Sequence, residues 1–542
     1  MDQNLRSFLD EITQSYPNLI YEAKTSDFEF PTTINFSKNL QALIYIETRQ
    51  QISECLSLAQ KHKIKLSVYS GGKNWGYGSK SPSEPQHVVL DLTRMNRVLD
   101  FDSSLHTVTI EPGVTQRDLQ NYLKNKNLDY MVPTNGAGPH STLVGNLAER
   151  GYGLTPIEDR FTSVLSLTVL LPTGEEVSSP LSEMGSPLLN SIYKWGTGPY
   201  LDGIFTQSNL GIIVGATLAI KPRPEQITTF LFQFTDDQLE SIVAKISKVK
   251  EQLGTTCGGI NLMNDRRLLS MIVSDGKMNS NEGPLSQEEI NSLKKEYILN
   301  DWGGLGTLYG PKDLVRAAKK IVKQEIKPHT KRFIALTSNK IRWAKKILSL
   351  LKIFGIGHKL YETLLRVEQG RLITEGIPSE VALPLAYLKS GKMTSNPQGP
   401  NPAEDGCGLI WYSPLVPMLG HKVSDYVAFI HKTCLENSIE PLITLTTLDH
   451  RVFDSTIPIL FDKESSQSTQ MAHNCFDQLF EKGRRKDFIP YRYPIHRMNQ
   501  LYASPSTYWD TVRLIKKALD PNEVLSSGRY CPSSQSEQES NP

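Results

Sequence analysis

Residues 67–82 read SVYSGGKNWGYGSKSP and follow directly on the apolar start of IKLSVY. A β-branched, aromatic run that breaks into glycines and serines predicts a strand ending in a bare loop. Glycines let backbone N–H groups approach a ligand with no Cβ in the way, and successive N–H groups in such a turn make an anion-binding nest. The loop contains neither G-x-G-x-x-G nor G-x-x-x-x-G-K-[ST], so it is neither a dinucleotide fingerprint nor a P-loop.

Two more glycine-rich stretches follow within the first 220 residues: PTNGAGPHSTLVGNLAERGYGLTP at 133–156 and KWGTGPYLDGIFTQSNLGIIVGATLAI at 194–220. Around them strands and helices alternate. ALIYIET reads as a strand, after which Thr48 and Gln51 form a capping box for a helix with Ile52, Cys55, Leu56 and Ala59 on one face. VVLDL and TVTIEPG are further strands, Thr115 with Asp118 opens another helix, and VLSLTVLLPTGEEV is a strand pair turning at Thr173-Gly174. Beyond about residue 226 glycine loops thin out. Longer helices such as DDQLESIVAKISKVKEQL appear between strands such as PLITLTTL and TIPILFD. The pattern is α+β, with a first domain over 1–225, a second over 226–489, a C-terminal segment over 490–532 and a polar, disordered tail over 533–542.

With 542 residues the chain is long enough for several cores. A net charge of +2 gives no reason to expect nucleic acid or a membrane as partner. The six cysteines form no C-x-x-C and are not spaced with histidines as a zinc site would be. No apolar run approaches the ~20 residues of a membrane span. The N-terminal Leu5, Phe8, Leu9 and Ile12 recur at helical spacing with no basic leader, so a cytoplasmic location is expected.

Six stretches in order carry a resemblance: SGGKNWGYG, VVLDLTRMNRVLDFD, TVTIEPGVTQRDLQNYL, VGNLAERGYGLTP, GTGPYLDGIFTQSNLGIIVGATL and DPNEVLSSGRYCP. Together they resemble the flavoprotein family of p-cresol methylhydroxylase and vanillyl alcohol oxidase. The resemblance covers roughly residues 40–225 and 490–532 and is fainter between.

The resemblance implies a two-subdomain FAD-binding domain of the vanillyl-alcohol-oxidase type with an α+β cap over the substrate. It implies an FAD-dependent oxidase or dehydrogenase that takes a hydride from an alcohol, benzylic or phenolic C–H. The flavin would be reoxidised by O2 or an electron-carrier protein, in a chain expected to be a homodimer. The matched positions place the FAD pyrophosphate on Ser70, Gly71, Gly72, Lys73 and Asn74. Further cofactor contacts fall on Pro133, Gly138, His140, Ser141, Gly145, Asn146, Gly151, Gly153, Ile213, Arg492 and Arg529. Tyr77, Tyr491 and Arg492 match the family's phenol clamp. Leu154, Leu409, Trp411 and His450 are expected in the substrate cavity.

Three departures qualify this match. The third clamp tyrosine is replaced by Leu154, with Tyr152 two residues away. The aspartate expected after VP is replaced by Thr134 or Asn135, leaving His140, His450 or Asp449 as candidate bases. The histidine that tethers the flavin in several members is replaced by Leu409, and the residue after SGG is Lys73. A noncovalent FAD is therefore expected, with His140 and Cys407 the outside candidates for a tether. Two other readings stay open: a berberine-bridge-like or sugar-oxidase-type flavoenzyme, against which Lys73 argues, and a flavin-binding protein without redox turnover.

Overall fold

The computed structural model describes residues 3–25, 27–273, 283–337, 368–389 and 399–532, with a few single positions between 343 and 365; the tail 533–542 lies outside them. The first sheet contains β1 (Ile20–Ala23), β2 (Leu40–Tyr45), β3 (Leu66–Tyr69) and β4 (His87–Asp91) in the order β1-β2-β4-β3. β2, β4 and β3 run parallel. A parallel step needs a crossover, and helix Arg49–His62 supplies the one between β2 and β3, capped reciprocally by Thr48 and Gln51. Its Ile52, Cys55, Leu56 and Ala59 share a core with Leu5, Phe8, Leu9 and Ile12 of helix Gln3–Ser15. Ligands of such sheets gather at the carboxyl ends of the strands, and β3 ends at Tyr69, immediately before Ser70-Gly71-Gly72.

The second sheet is antiparallel. It holds β5 (Val98–Asp102), β6 (Thr107–Ile110), β8 (Val164–Leu170), β9 (Glu176–Val177) and β10 (Ile212–Ala219) in the order β5-β6-β10-β8-β9. β7 (Tyr130–Met131) pairs with β11 (Lys221–Pro222).

The remaining strands build one eight-stranded antiparallel sheet. They are β12 (Gln226–Phe234), β13 (Asn261–Asn264), β14 (Trp302–Gly310), β15 (Arg332–Thr337), β16 (Cys407–Tyr412), β17 (Leu415–Pro417), β18 (Thr444–Thr447) and β19 (Val452–Asp462). The order is β15-β12-β14-β13-β18-β19-β16, with β17 added on β19. Side chains alternate between faces along a strand. One face carries Phe230, Phe232, Leu262, Leu445, Phe453 and Ile457 into a core with helices Leu239–Leu253, Lys312–Ile326, Gly420–Glu436 and Ser466–Arg484. Gly304 and Gly306 stand opposite Phe232 and Phe230 because those rings lie where a Cβ would be.

The chain then returns to the first sheet. The Leu66 N–H donates to the Val524 carbonyl at 2.7 Å and the Ser526 N–H to the Leu66 carbonyl at 2.6 Å. Helix Thr507–Leu519 is pinned by Lys516, whose buried ammonium binds Asp520 at 2.6 Å and the Asn209 and Leu525 carbonyls at 2.7 and 2.9 Å. No helix among the described residues is long and apolar enough to cross a membrane.

Candidate active site

A cavity of about 820 Å3 runs from the carboxyl end of β3 to the second face of the eight-stranded sheet. At the first end two loops close on each other. The Ser70 and Thr142 hydroxyls share a hydrogen bond of 2.8 Å. A Cβ on Gly145 would lie 2.6 Å from Ser70 Oγ, and one on Gly71 would lie 2.9 Å from Thr142 Cγ2. Gly72 has φ +64°, in the left-handed region where glycine carries no steric cost. At Gly151 a Cβ would overlap Asn146 Oδ1 and approach an Arg492 terminal nitrogen to 2.7 Å. The walls are therefore backbone. The buried Asn146 Nδ2 has no hydrogen-bond partner among the described residues, so a donor is held ready at this wall. Backbone donors with an unspent amide fit the phosphates and ring edge of an extended dinucleotide such as FAD.

Of the residues singled out from the sequence, Ser70, Gly71, Gly72, Lys73, Asn74, Ser141, Gly145, Asn146, Gly151, Gly153, Ile213, Arg492 and Arg529 all line this cavity, as do Tyr77, Tyr491, Leu154, Leu409 and Trp411. Pro133, Gly138, His140 and His450 are not among its lining residues. His450 occupies the turn between β18 and β19, where its carbonyl accepts from Ser247 Oγ at 2.6 Å. Asp449 in the same turn is spent on Arg451, and Thr134 donates to the Ile373 carbonyl at 2.6 Å. Burial, with Lys73 and Arg117 nearby, lowers the basicity of His140. Burial and the neighbouring Lys80 bring the Lys73 ammonium down to about 8.

Midway along the cavity Arg492 lies between two tyrosines, its guanidinium carbon 5.5 Å from the ring centres of both Tyr77 and Tyr491. Its Nε donates to the Glu149 carbonyl at 2.7 Å, and no other hydrogen bond holds it among the described residues. Glu149 is a residue the sequence did not single out, although it stands inside NLAERGYG. Its carboxylate pairs with Arg529 and accepts from the Tyr530 hydroxyl at 3.1 Å. Burial would raise that carboxyl, but Arg529 and Arg492 outweigh it and hold it below the usual range. One glutamate thus fixes both arginines, through its carbonyl and its carboxylate. Tyr77 shares a hydrogen bond of 2.8 Å with Ser413, and burial pushes its phenol up to about 12.

The sequence also passed over Asp454. On β19 the residues Phe453, Ser455 and Ile457 point to the helices, so Asp454 and Thr456 point to the cavity side, where Thr456 is part of the lining. Strand pairing sets Asn261, Thr446 and Asp454 in one row across β13, β18 and β19, and Met263, Thr444 and Thr456 in the next. Asp454 is fully buried and neither carboxylate oxygen has a hydrogen-bond partner among the described residues. Burial pushes its carboxyl well above the ordinary range, against the pull of Arg492. A buried carboxyl kept protonated by burial and set beside a cation and two phenols is a candidate to exchange a proton with a substrate.

A family model described as an FAD binding domain matches residues 40–179. The chain is 31% identical over 503 residues to 1'-carboxy-chondrochloren decarboxylase of Chondromyces crocatus, covering 92% of each. It is 25% identical over 509 residues to the 4-cresol dehydrogenase (hydroxylating) flavoprotein subunit of Pseudomonas putida, covering 90% of this chain and 87% of that one. In fold it is similar to substrate-bound p-cresol methylhydroxylase, with a TM-score of 0.82, 21% identity, and 99% of this chain and 98% of that chain covered. The protein is an enzyme, and it belongs to the FAD-dependent oxidoreductase family of p-cresol methylhydroxylase and vanillyl alcohol oxidase.

Proposed function

We propose that the protein oxidises a para-substituted phenol or a related benzylic substrate at the C–H next to the ring, with a noncovalent FAD. The observation that carries this reading is the cluster of Arg492 between Tyr77 and Tyr491 with Asp454 coupled to all three. FAD bound between the two loops supplies a hydride acceptor at its N5. The protein's own part is electrostatic. The two tyrosine hydroxyls donate to the substrate oxygen while Arg492 offsets the phenolate charge, and Asp454 holds the proton that leaves. A phenolate pushes electron density toward the benzylic carbon and eases hydride departure. Arg529, held in place by Glu149, lines the same cavity and would present its remaining guanidinium donors to the bound ring.

Support for a noncovalent cofactor is that Leu409 lines the cavity where several family members carry the tethering histidine, and that the nucleophilic side chains of the described lining that could bond a flavin are tyrosines alone, with no histidine or cysteine. O2 or an electron-carrier protein then takes the two electrons. A second reading draws on the relative named a decarboxylase. A substrate with a carboxylate one carbon beyond the reacting C–H would lose CO2 as the hydride leaves, the C–C pair becoming a double bond. Anaerobic mixing of the holoenzyme with para-alkylphenols tests the main reading. The visible flavin band bleaches with free phenols and not with their methyl ethers. Bleaching by the ethers at equal rate, or by neither, overturns it. The same mixing with para-hydroxyphenylpropanoate, which carries a carboxylate on the carbon next to the benzylic one, selects the second reading if CO2 is released in stoichiometric amount.

A further inference from the structure

Three charged residues stand in sequence at the start of helix Asp265–Ile272. Two are matched: Asp265 pairs with Lys294 at 3.2 Å, and Arg266 with Glu440. The third, Arg267, is not. It lines the cavity, its guanidinium has no carboxylate partner among the described residues, and its side chain's one hydrogen bond is from Nη1 to Ser270 Oγ at 3.1 Å. Burial alone brings it down to about 10, with no neighbouring charge opposing the shift. On its own helix and the strand before it, the cavity lining holds Ser270 and the apolar Met263, Met271 and Val273. An unpaired guanidinium in such surroundings is costly unless an anion completes it.

Its place along the cavity follows from the strand register. The Asn261–Thr446–Asp454 row lies beside the Arg492 cluster, and the Met263–Thr444–Thr456 row is the next one along. Two residues of strand separate the rows by roughly 7 Å. Arg267 lies on the helix that follows, whose Leu268 packs at 2.8 Å from where a Cβ on Gly303 would be, and Gly303 pairs with Met263 of the second row. The cavity thus has the reacting cluster near one row and an unmatched cation on the helix packed at the other.

We infer that Arg267 is a binding site for a carboxylate carried by the substrate at the end remote from the reacting C–H, so that the natural substrate is an elongated aromatic acid. The planar fork of an arginine matches a carboxylate in two parallel hydrogen bonds. One cation offsets one negative charge. A phosphate monoester, with about −1.5 to −2 at neutral pH, would leave charge uncompensated among methionines and valine. The inference deepens the reading of the site above and rests on it only for which end of the substrate reacts. The anchored group is not the carboxylate that the decarboxylation reading would expel.

The probes are phenylbutanoate and phenylhexanoate against their amides, titrated into the holoenzyme and followed by the flavin difference spectrum and by thermal shift. They lack a phenol, so they report on the anchor and not on the phenol clamp. At one of the two lengths the carboxylate binds tighter than the amide by about tenfold or more. In Arg267→Gln the preference falls to about twofold or less while flavin content holds and the melting temperature of the ligand-free protein does not fall; Arg267→Lys retains part of it. A wild-type preference below about twofold at both lengths, including no binding by any probe, overturns the inference. So does a preference that survives Arg267→Gln. If the glutamine variant loses flavin, Arg267→Lys decides: an undiminished preference there with the amide equally bound contradicts a bidentate site. A para-alkylphenol titrated in parallel separates the two proposals, since its failure to bind counts against the phenol reading alone.

Discussion

At the scale of single residues, the chemistry rests on charges held away from water. Arg492→Met removes the cation between Tyr77 and Tyr491. Losing one preorganised donor of this kind costs about 3–4 kcal/mol in the transition state, so single-turnover flavin reduction slows by ~10²–10³ while probe binding weakens less. Asp454→Asn tests the proton. A carboxyl whose folded pKa lies above its unfolded value binds more protons folded than unfolded, so it costs stability as pH rises from the unfolded value toward the folded one. The asparagine variant therefore melts higher than wild type at neutral pH, and the gain shrinks as pH falls to and below ~4, since both states carry the proton only under the unfolded pKa. A gain that grows on acidification contradicts the assignment. Arg492 and Tyr77 were legible because YRYPIH and NWGYG are distinctive. Asp454 was not: in VFDSTIPILFD the period-two alternation is plain, but which face meets the cofactor is decided by domains packing together. The candidate bases Asp449 and His450 lie in a turn near Asp454 in sequence and off the cavity in space.

Among the elements, the loop after β3 and the short helix Leu143–Ala148 close on each other through Ser70, Thr142, Gly71 and Gly145. Their sequences announce themselves, since glycines placed where a neighbouring backbone or hydroxyl comes within contact can only be glycine. Gly72→Val puts a β-branched residue at φ +64° with its Cβ against the Lys80 stem. The variant expresses but holds no FAD, as read from absorbance of the purified protein; full occupancy would contradict the placement. Helix caps at Thr48 and Thr115 were equally legible, because a capping box is a local pattern. The long cap sheet was not. Its strands come in the order β15-β12-β14-β13-β18-β19-β16, and a pairing such as β13 with β18 across some 180 residues leaves no local trace.

For the whole molecule, cofactor and fold are linked by mass action. A ligand that binds only the folded state stabilises it by about 2.7 kcal/mol at a hundred times its dissociation constant. Apoprotein titrated with FAD therefore shows a melting temperature that keeps rising with free FAD. Acid precipitation leaves the yellow colour in the supernatant, with an intact mass equal to the bare chain. A pellet that keeps its flavin would overturn the noncovalent reading, with Cys407, His140 and the lining tyrosines Tyr77, Tyr152 and Tyr491 the first to examine. The central claim, that this chain moves a hydride from a ring-adjacent C–H to bound FAD, is tested most directly by the rate of anaerobic flavin reduction with a para-alkylphenol and with its benzylically deuterated form. The account predicts that the deuterated substrate bleaches the flavin several times more slowly; equal rates, or no bleaching by either, would contradict it.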